Sequence, residues 1–126
     1  VLSLTVETIR YRNTGREVKT KFADKVQKIR ICFSIASNQI AESEHKEAYI
    51  QIINENGELI QSDIFNEIVL ADTSLMFTVK TIFEYDNLEM EHCFEWERLD
   101  ILYPGMYSVK LILEEGFSAE TKFKLR

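Results

Sequence analysis

Apolar and polar residues alternate one by one along most of this chain. The pattern is clearest over residues 28–35, where four large apolar side chains occupy every second position. Such alternation is typical of half-buried β-strands, and no stretch carries the spacing of an amphipathic helix. The predicted strands cover residues 2–12, 28–35, 47–53, 58–62, 75–84, 88–97, 106–113 and 118–125. The sequence therefore predicts an all-β protein.

The alternation is interrupted at places that predict turns or a change of face. In the first strand, two arginines occupy positions at which the apolar face should continue, so we predict a bulge near Thr8 that turns Ile9 and Tyr11 inward. The Asn and Gly of residues 54–57 predict a tight turn, and the apolar run 68–70 predicts a short edge strand. Longer loops are predicted over residues 13–25 and 36–45.

One turn carries a more specific signal. Pro104 fixes φ and Gly105 tolerates positive φ, and Tyr107 then opens the alternating strand 106–113. A buried tyrosine hydroxyl requires a hydrogen-bond partner. The arrangement resembles the E–F corner of immunoglobulin-like sandwiches, in which a tyrosine near the start of strand F bonds backward to close the corner. An ordinary core tyrosine is the alternative interpretation of Tyr107.

The resemblance implies an immunoglobulin-like antiparallel β-sandwich of seven to eight strands, and the chain length predicts that residues 1–126 form a single domain. The resemblance also implies one sheet made of strands 2–12, 28–35, 88–97 and 75–84, with the other strands in the second sheet. Trp96 and Tyr107 then point inward. The chain departs from antibody domains at Val109, which stands where those domains have the second cysteine of their inter-sheet disulfide.

The two cysteines indicate how two of these strands align. If Cys32 faces Cys93 across antiparallel neighbours, opposite charges also face each other, which stabilises a sheet. The other facing pairs would be Arg30 with Glu95, Lys28 with Glu97 and Ser34 with Glu91. Both sulfurs would lie on an outer face, where a disulfide is geometrically possible. Nothing in the chain indicates oxidation, so we expect free thiols.

Charge is distributed unevenly between the ends of the chain. Residues 1–30 hold eight Lys or Arg and three Asp or Glu, a balance of +5, and the other 96 residues carry a balance of −11. The pairing above accounts for this asymmetry within one sheet. A nucleic-acid partner is not expected, because binding the phosphate backbone requires a dominant positive field, and the whole chain has a net charge of −6.

Candidate catalytic and metal-binding groups are sparse. His45 lies in a glutamate-rich predicted loop with no second cluster of ligands, and His92 falls on an apolar strand face, where a hydrogen-bonded core or rim histidine is typical. Cys93 and His92 are adjacent on a strand and point to opposite faces, so they cannot act as a nucleophile and base. We expect no enzyme activity, no metal and no cofactor.

Surface positions offer two kinds of contact. Ile53, Met106 and Ile112 fall on the predicted outer face of the second sheet and form a possible protein interface; scattered surface apolar groups are the alternative. A carbohydrate platform would expose Trp96 beside Tyr49 or Tyr103. Addition of a peptide to an edge strand is opposed by the basic residues of the last strand.

Residues 28–60, KIRICFSIASNQIAESEHKEAYIQIINENGELI, resemble the C-terminal β-domain of uncharacterised bacterial envelope proteins, which implies an extracytoplasmic role. No apolar run is long enough to insert in a membrane. With no initiator Met and no signal-peptide pattern, we expect a piece of a longer chain. The function expected is a protein-interaction or structural module of a cell-envelope protein, and the alternative is a carbohydrate-binding module. The oligomeric state and the identity of the partner stay open.

Overall fold

The computed structural model describes residues 3–36, 44–60, 67–70, 73–86, 88–98, 101–113 and 118–126. Within these residues the chain forms ten β-strands and one short 3-10 helix, Ala23–Lys25. The strands are β1 (Ser3–Tyr11), β2 (Glu17–Lys19), β3 (Lys28–Ile35), β4 (Glu44–Ile53), β5 (Glu67–Leu70), β6 (Thr73–Met76), β7 (Val79–Tyr85), β8 (Met90–Glu97), β9 (Gly105–Leu113) and β10 (Ser118–Leu125). The all-β prediction is confirmed.

Two four-stranded antiparallel sheets pack face to face. The first sheet has the order β2-β1-β3-β8 and the second has the order β10-β9-β4-β7, while β5 and β6 pair with each other. The inward residues predicted for β3 are all buried. They pack against alternate residues of β4 and β9, such as Ile50, Ile52, Val109 and Leu111, in one hydrophobic core. The predicted sandwich is therefore present, and hydrophobic burial between its two sheets is the main force that holds it together.

The register predicted between β3 and β8 is confirmed at every pair. Cys32 faces Cys93 and Arg30 faces Glu95, and the two remaining pairs, Lys28 with Glu97 and Ser34 with Glu91, also match. A shift of one residue would turn the polar face of β3 into the core. The alternation along both strands and the facing charges therefore agree on one alignment.

The predicted strand 75–84 was wrong in its extent and in its sheet. The structure breaks it at Phe77 and Thr78, and β7 pairs with β4 in the second sheet instead of joining β8 in the first. The hydroxyl of Thr78 accepts a hydrogen bond from the Ile52 amide at 3.0 Å and donates one to the Ile60 carbonyl at 2.8 Å. The chain thus passes from the separate β5–β6 pair to the edge of the second sheet, where β7 begins at Val79.

Two further expectations also need correction. Residues 58–60 form no strand beyond a single bridge between Leu59 and Ile53, and residues 61–62 lie outside the described part. The β1–β3 register runs unbroken from Ser3 to Ile9, so the bulge near Thr8 is absent from this pairing. Thr8 stays buried, and its hydroxyl donates to the Thr20 carbonyl.

The turn predicted over residues 54–57 is present, with the Gly57 amide donating to the Asn54 carbonyl at 3.0 Å. The edge strand predicted at 68–70 corresponds to β5. The loop predicted over residues 13–25 contains the short strand β2, whose three residues are too few to give a clear alternation.

Candidate functional site

Tyr107 closes a corner at the start of β9. Its hydroxyl donates a hydrogen bond to the Tyr103 carbonyl at 2.6 Å and accepts one from the Tyr103 amide at 3.2 Å. Its ring is buried and stacks on Phe123, with centroids 5.1 Å apart and planes 5° from parallel. Burial raises the pKa of the Tyr107 phenol, partly opposed by the hydrogen bond that the Tyr103 backbone amide donates to its oxygen. One side chain thus holds both backbone groups of Tyr103.

Gly105 is required where the corner joins β9. Its φ is +148°, a value that residues with a Cβ rarely adopt. A Cβ added here would lie 2.9 Å from the Oε2 atom of Glu55. The corner therefore depends on a glycine for its backbone conformation, whereas the Glu55 carboxylate is the end of an exposed, flexible side chain that can move aside. Pro104, at the turn itself, is exposed.

Three large apolar side chains project from this corner into solvent. Ile101 is 56% exposed, Tyr103 is 76% exposed and Met106 is 42% exposed, whereas Leu102 between them is buried. We call Ile101, Tyr103, Pro104 and Met106 the corner patch. The buried Leu102 and the clamp from Tyr107 anchor the backbone from which the patch projects.

The three predicted interface residues do not lie at one place. Ile53 faces Ser108 in the β4–β9 register, which puts it one diagonal step from Met106. Ile112 faces Tyr49 at the far end of the pairing. Met106 and Ile112 are six residues apart on one strand, a separation of roughly 20 Å. Ile53 and Met106 therefore adjoin the corner, and Ile112 does not.

The region around Ile112 belongs to a second buried cluster. Tyr49 has the outward parity of β4, yet it is fully buried, with its ring 5.1 Å from that of Phe77. The side-chain amide of Gln51 donates to the Met76 carbonyl at 2.8 Å. The segment that leads into β7 therefore crosses the outer face of β4, and the sequence pattern carried no sign of this cover.

Charged side chains form a network on the outer face of the first sheet. The Lys28 ammonium contacts Glu17 and lies 2.9 Å from a Glu95 oxygen. The Arg30 guanidinium donates to both of these carboxylates, at 2.9 Å in each case. These hydrogen bonds, first from Lys28 and then from Arg30, lower the pKa of Glu17 and of Glu95. We call these four residues the ion-pair network.

This network corrects one predicted partner. Lys28 faces Glu97 in the backbone register, but its ammonium contacts Glu17 and Glu95. Glu17 lies on β2, which the sequence did not reveal as a strand. Lys28 is almost fully buried even though it lies on an outer face, and its ammonium is 5.1 Å from the Tyr11 ring.

The expectation of free thiols was wrong. Cys32 and Cys93 form a disulfide between directly facing residues of β3 and β8, with Cα atoms 4.1 Å apart. Facing positions of an antiparallel pair place Cβ atoms close enough for bonding. Cys93 is exposed, so the bond lies at the surface beside the ion-pair network.

The remaining candidates show no catalytic arrangement. The Nε2 atom of His92 is 2.9 Å from the Thr81 hydroxyl, and its ring lies 5.6 Å from Phe33 and 6.0 Å from Phe94. Burial lowers the pKa of His92, which is typical of a rim histidine. The side chain of His45 lies outside the described residues. In the described part of the chain, no group of three His, Cys, Asp or Glu side chains is arranged to hold a metal ion.

Trp96 is 6% exposed and belongs to the core. Together with the burial of Tyr49, this leaves Tyr103 as the exposed member of the aromatic set expected for a carbohydrate platform. None of the described helical segments is long and apolar enough to cross a membrane.

The chain was compared with known protein families. The family described as "Domain of unknown function (DUF8428)" matches residues 2–126, nearly the entire chain, and the chain therefore belongs to this family. No curated protein matches it.

Proposed function

We propose that this member of the DUF8428 family is a non-catalytic protein-interaction module with an immunoglobulin-like arrangement of strands, and that the corner patch is its contact surface. The observation that carries the proposal is that Tyr103 combines an exposed side chain with a backbone held by hydrogen bonds. Its side chain is 76% exposed, while both its backbone amide and its backbone carbonyl are bonded to the Tyr107 hydroxyl.

An exposed aromatic residue on a rigid backbone suits protein recognition. Tyrosine is enriched among the residues that dominate binding energy, because it buries a large area and keeps a polar hydroxyl. Ordering a flexible loop on binding costs free energy, and a backbone that is already held avoids part of that cost. Ile101 and Met106 flank Tyr103 and extend the apolar area around it.

The disulfide supports an extracytoplasmic location for the module. Disulfides persist in oxidising compartments and are rare in the cytosol. The bond between Cys32 and Cys93 lies at the surface, where a cytosolic reductant would reach it. We therefore propose a module of a larger cell-envelope protein, in line with the resemblance of residues 28–60 to envelope β-domains.

The proposal can be tested with a photoreactive amino acid in place of Tyr103, in the full-length parent protein in its native cells. Irradiation should give a discrete adduct with a partner protein. The matched control carries the same photoreactive group at Ile82. This residue is also a large, exposed hydrophobic residue, at 56%, but it lies on β7, away from the corner.

An adduct at position 103 that is absent at position 82, and that disappears when Met106 is also changed to Ser, supports the corner patch as the contact surface. Adducts of equal yield from both positions, or none from position 103, would overturn the proposal. Sedimentation of the isolated domain shows whether the partner is a second copy of the chain.

A further inference from the structure

A cluster of like charges lies at the margin where the first and second sheets approach each other. Lys21, Lys124 and Arg126 line an open depression of about 300 Å³. Two backbone hydrogen bonds fix the segments that carry them: the Arg126 amide donates to the Lys21 carbonyl at 2.7 Å, and the Ala23 amide donates to the Arg126 carbonyl at 2.8 Å. The pairing of these segments holds the three cations together.

Among the residues that the structure describes, this cluster has no counterion. Lys21, Lys124 and Arg126 form no ion pair in the described part of the chain, unlike Lys28, Arg30 and Lys80, whose ion pairs the described residues include. The nearby Asp24, on the 3-10 helix, forms none either. Like charges held close together repel each other unless an anion lies between them. The fold therefore holds a site at which an external anion is favoured.

A second basic depression lies at the β1–β2 hairpin. It is about 710 Å³ and is lined by residues of the β1–β2 hairpin, including Arg10, Arg12 and Arg16. Arg10 faces Val18 in the β1–β2 register, and Val18 is three residues from Lys21, a backbone separation of at most about 10 Å. Two neighbouring cationic depressions suit a ligand that carries several anionic groups better than a single free ion.

An exposed aromatic residue lines one depression and lies next to a lining residue of the other along the chain. Phe22, next to Lys21, is 51% exposed, and Tyr11, which lines the second depression, is 37% exposed. A lysine ammonium lies against each ring, Lys25 at 5.5 Å and Lys28 at 5.1 Å, which restrains the ring's orientation. Exposed aromatic faces next to polar and charged groups suit the apolar faces and the substituents of sugar rings.

We propose that this margin binds an anionic polysaccharide, with its sulfate, phosphate or carboxylate groups in the two depressions and its sugar rings against Phe22 and Tyr11. Nucleic acid carries a similar charge pattern. The surface disulfide favours the polysaccharide, because it supports a compartment outside the cytosol. This site is separate from the corner patch and does not depend on the function proposed for that patch.

The test uses the disulfide-bonded domain with heparin as a model sulfated polysaccharide and uncharged dextran as the control ligand. The double variant Lys124→Gln/Arg126→Gln removes two cations from the first depression. The matched variant Lys80→Gln/Lys110→Gln removes the same charge from β7 and β9. We expect heparin affinity to fall about tenfold in the first variant, with a shallower salt dependence because fewer counterions are released. The matched variant should bind almost as the parent does.

Equal losses in both variants would show that net charge alone governs binding, and would overturn the proposal. Absence of heparin binding at low salt would do the same, as would tighter binding of single-stranded DNA than of heparin at physiological ionic strength. If Lys124→Gln/Arg126→Gln fails to fold, Lys21→Gln/Lys124→Gln replaces it. Tyr103→Ser should keep full heparin affinity, which separates this site from the corner patch.

Discussion

Replacing Tyr107 with Phe tests the corner at the level of single atoms. The substitution removes the hydroxyl and leaves the ring, so the stacking on Phe123 is kept. What is lost is the hydrogen bond donated to the Tyr103 carbonyl at 2.6 Å and the one accepted from the Tyr103 amide at 3.2 Å. Every consequence of the variant should therefore trace to these two contacts.

The expected loss follows from what happens to the two backbone groups. A hydrogen bond contributes about 0.5–1.5 kcal/mol net, and more is lost when its partner is left buried and unpaired. Tyr103 is largely exposed, so water can partly replace the hydroxyl. We expect Tyr107→Phe to lower the free energy of unfolding by about 1–2 kcal/mol, or to lower Tm by roughly 4–8 °C for a domain of this size.

Denaturant unfolding followed by Trp96 fluorescence measures this loss, and Tyr103→Phe is the matched control. It removes a hydroxyl from a tyrosine that is 76% exposed, so its stability should stay within about 0.3 kcal/mol of the parent. If Tyr107→Phe is equally neutral, the hydroxyl does not hold the corner and the argument for a rigid Tyr103 fails.

The same variant has a pH signature. The pKa of Tyr107 is raised above its ordinary value of 10.0 in the folded state, chiefly by burial. Its contribution is therefore fully present below pH 10 and is lost as pH rises through the raised pKa, because the unfolded chain releases this proton first. The difference in free energy of unfolding between the parent protein and Tyr107→Phe should become smaller above about pH 10. A gap that stays constant through this range would contradict the burial of the phenol.

Three further changes test other parts of the structure. Cys32→Ala/Cys93→Ala removes the cross-link between two residues with a sequence separation of 61. The greater chain entropy of the unfolded state should lower the free energy of unfolding by at most roughly 4 kcal/mol. Two reactive thiols in the native parent protein would refute the disulfide. Glu95→Gln should reduce the fall in the free energy of unfolding that acid causes. The pKa of Glu95 is lowered in the folded state, so the stabilisation from its charged form is present above about pH 4.5 and is lost as pH falls through the lowered pKa. Parallel plots of unfolding free energy against pH for the variant and the parent would contradict this. Gly105→Ala should cost about 1–3 kcal/mol because of the +148° φ, and unchanged denaturant stability would show that the backbone relaxes.

Local pattern was enough to predict four of the strands, β3, β8, β9 and β10, and one alignment. In β3, β8, β9 and β10 the period of two identifies the inward face, because successive residues of a strand point to opposite sides. The β3–β8 register was also predictable, since Cys32 and Arg30 have matching partners at the same offset in Cys93 and Glu95. The Pro-Gly-Tyr sequence of the corner belongs to the same class of local information.

The position of the candidate contact surface could be predicted only in part. Met106 was identified from its outward parity, but Tyr103 was considered only as part of a carbohydrate platform. Its exposure arises from the corner geometry and not from any alternation. Ile112 was grouped with Met106 by parity alone, and parity contains no information on distance along the strand.

Tertiary structure alone decided which elements meet. Alternation states which side of a strand faces inward but not which strand lies beside it, so it could not predict that β7 pairs with β4. The same holds for the contact of Glu17 with Lys28 and for Lys21 beside Arg126, residues 105 positions apart in the chain. Closing a long loop adds little free energy for each added residue, so chain distance does not limit such contacts. The packing of the whole domain selects them, and for this reason the cationic margin and the ion-pair network emerged only from the fold.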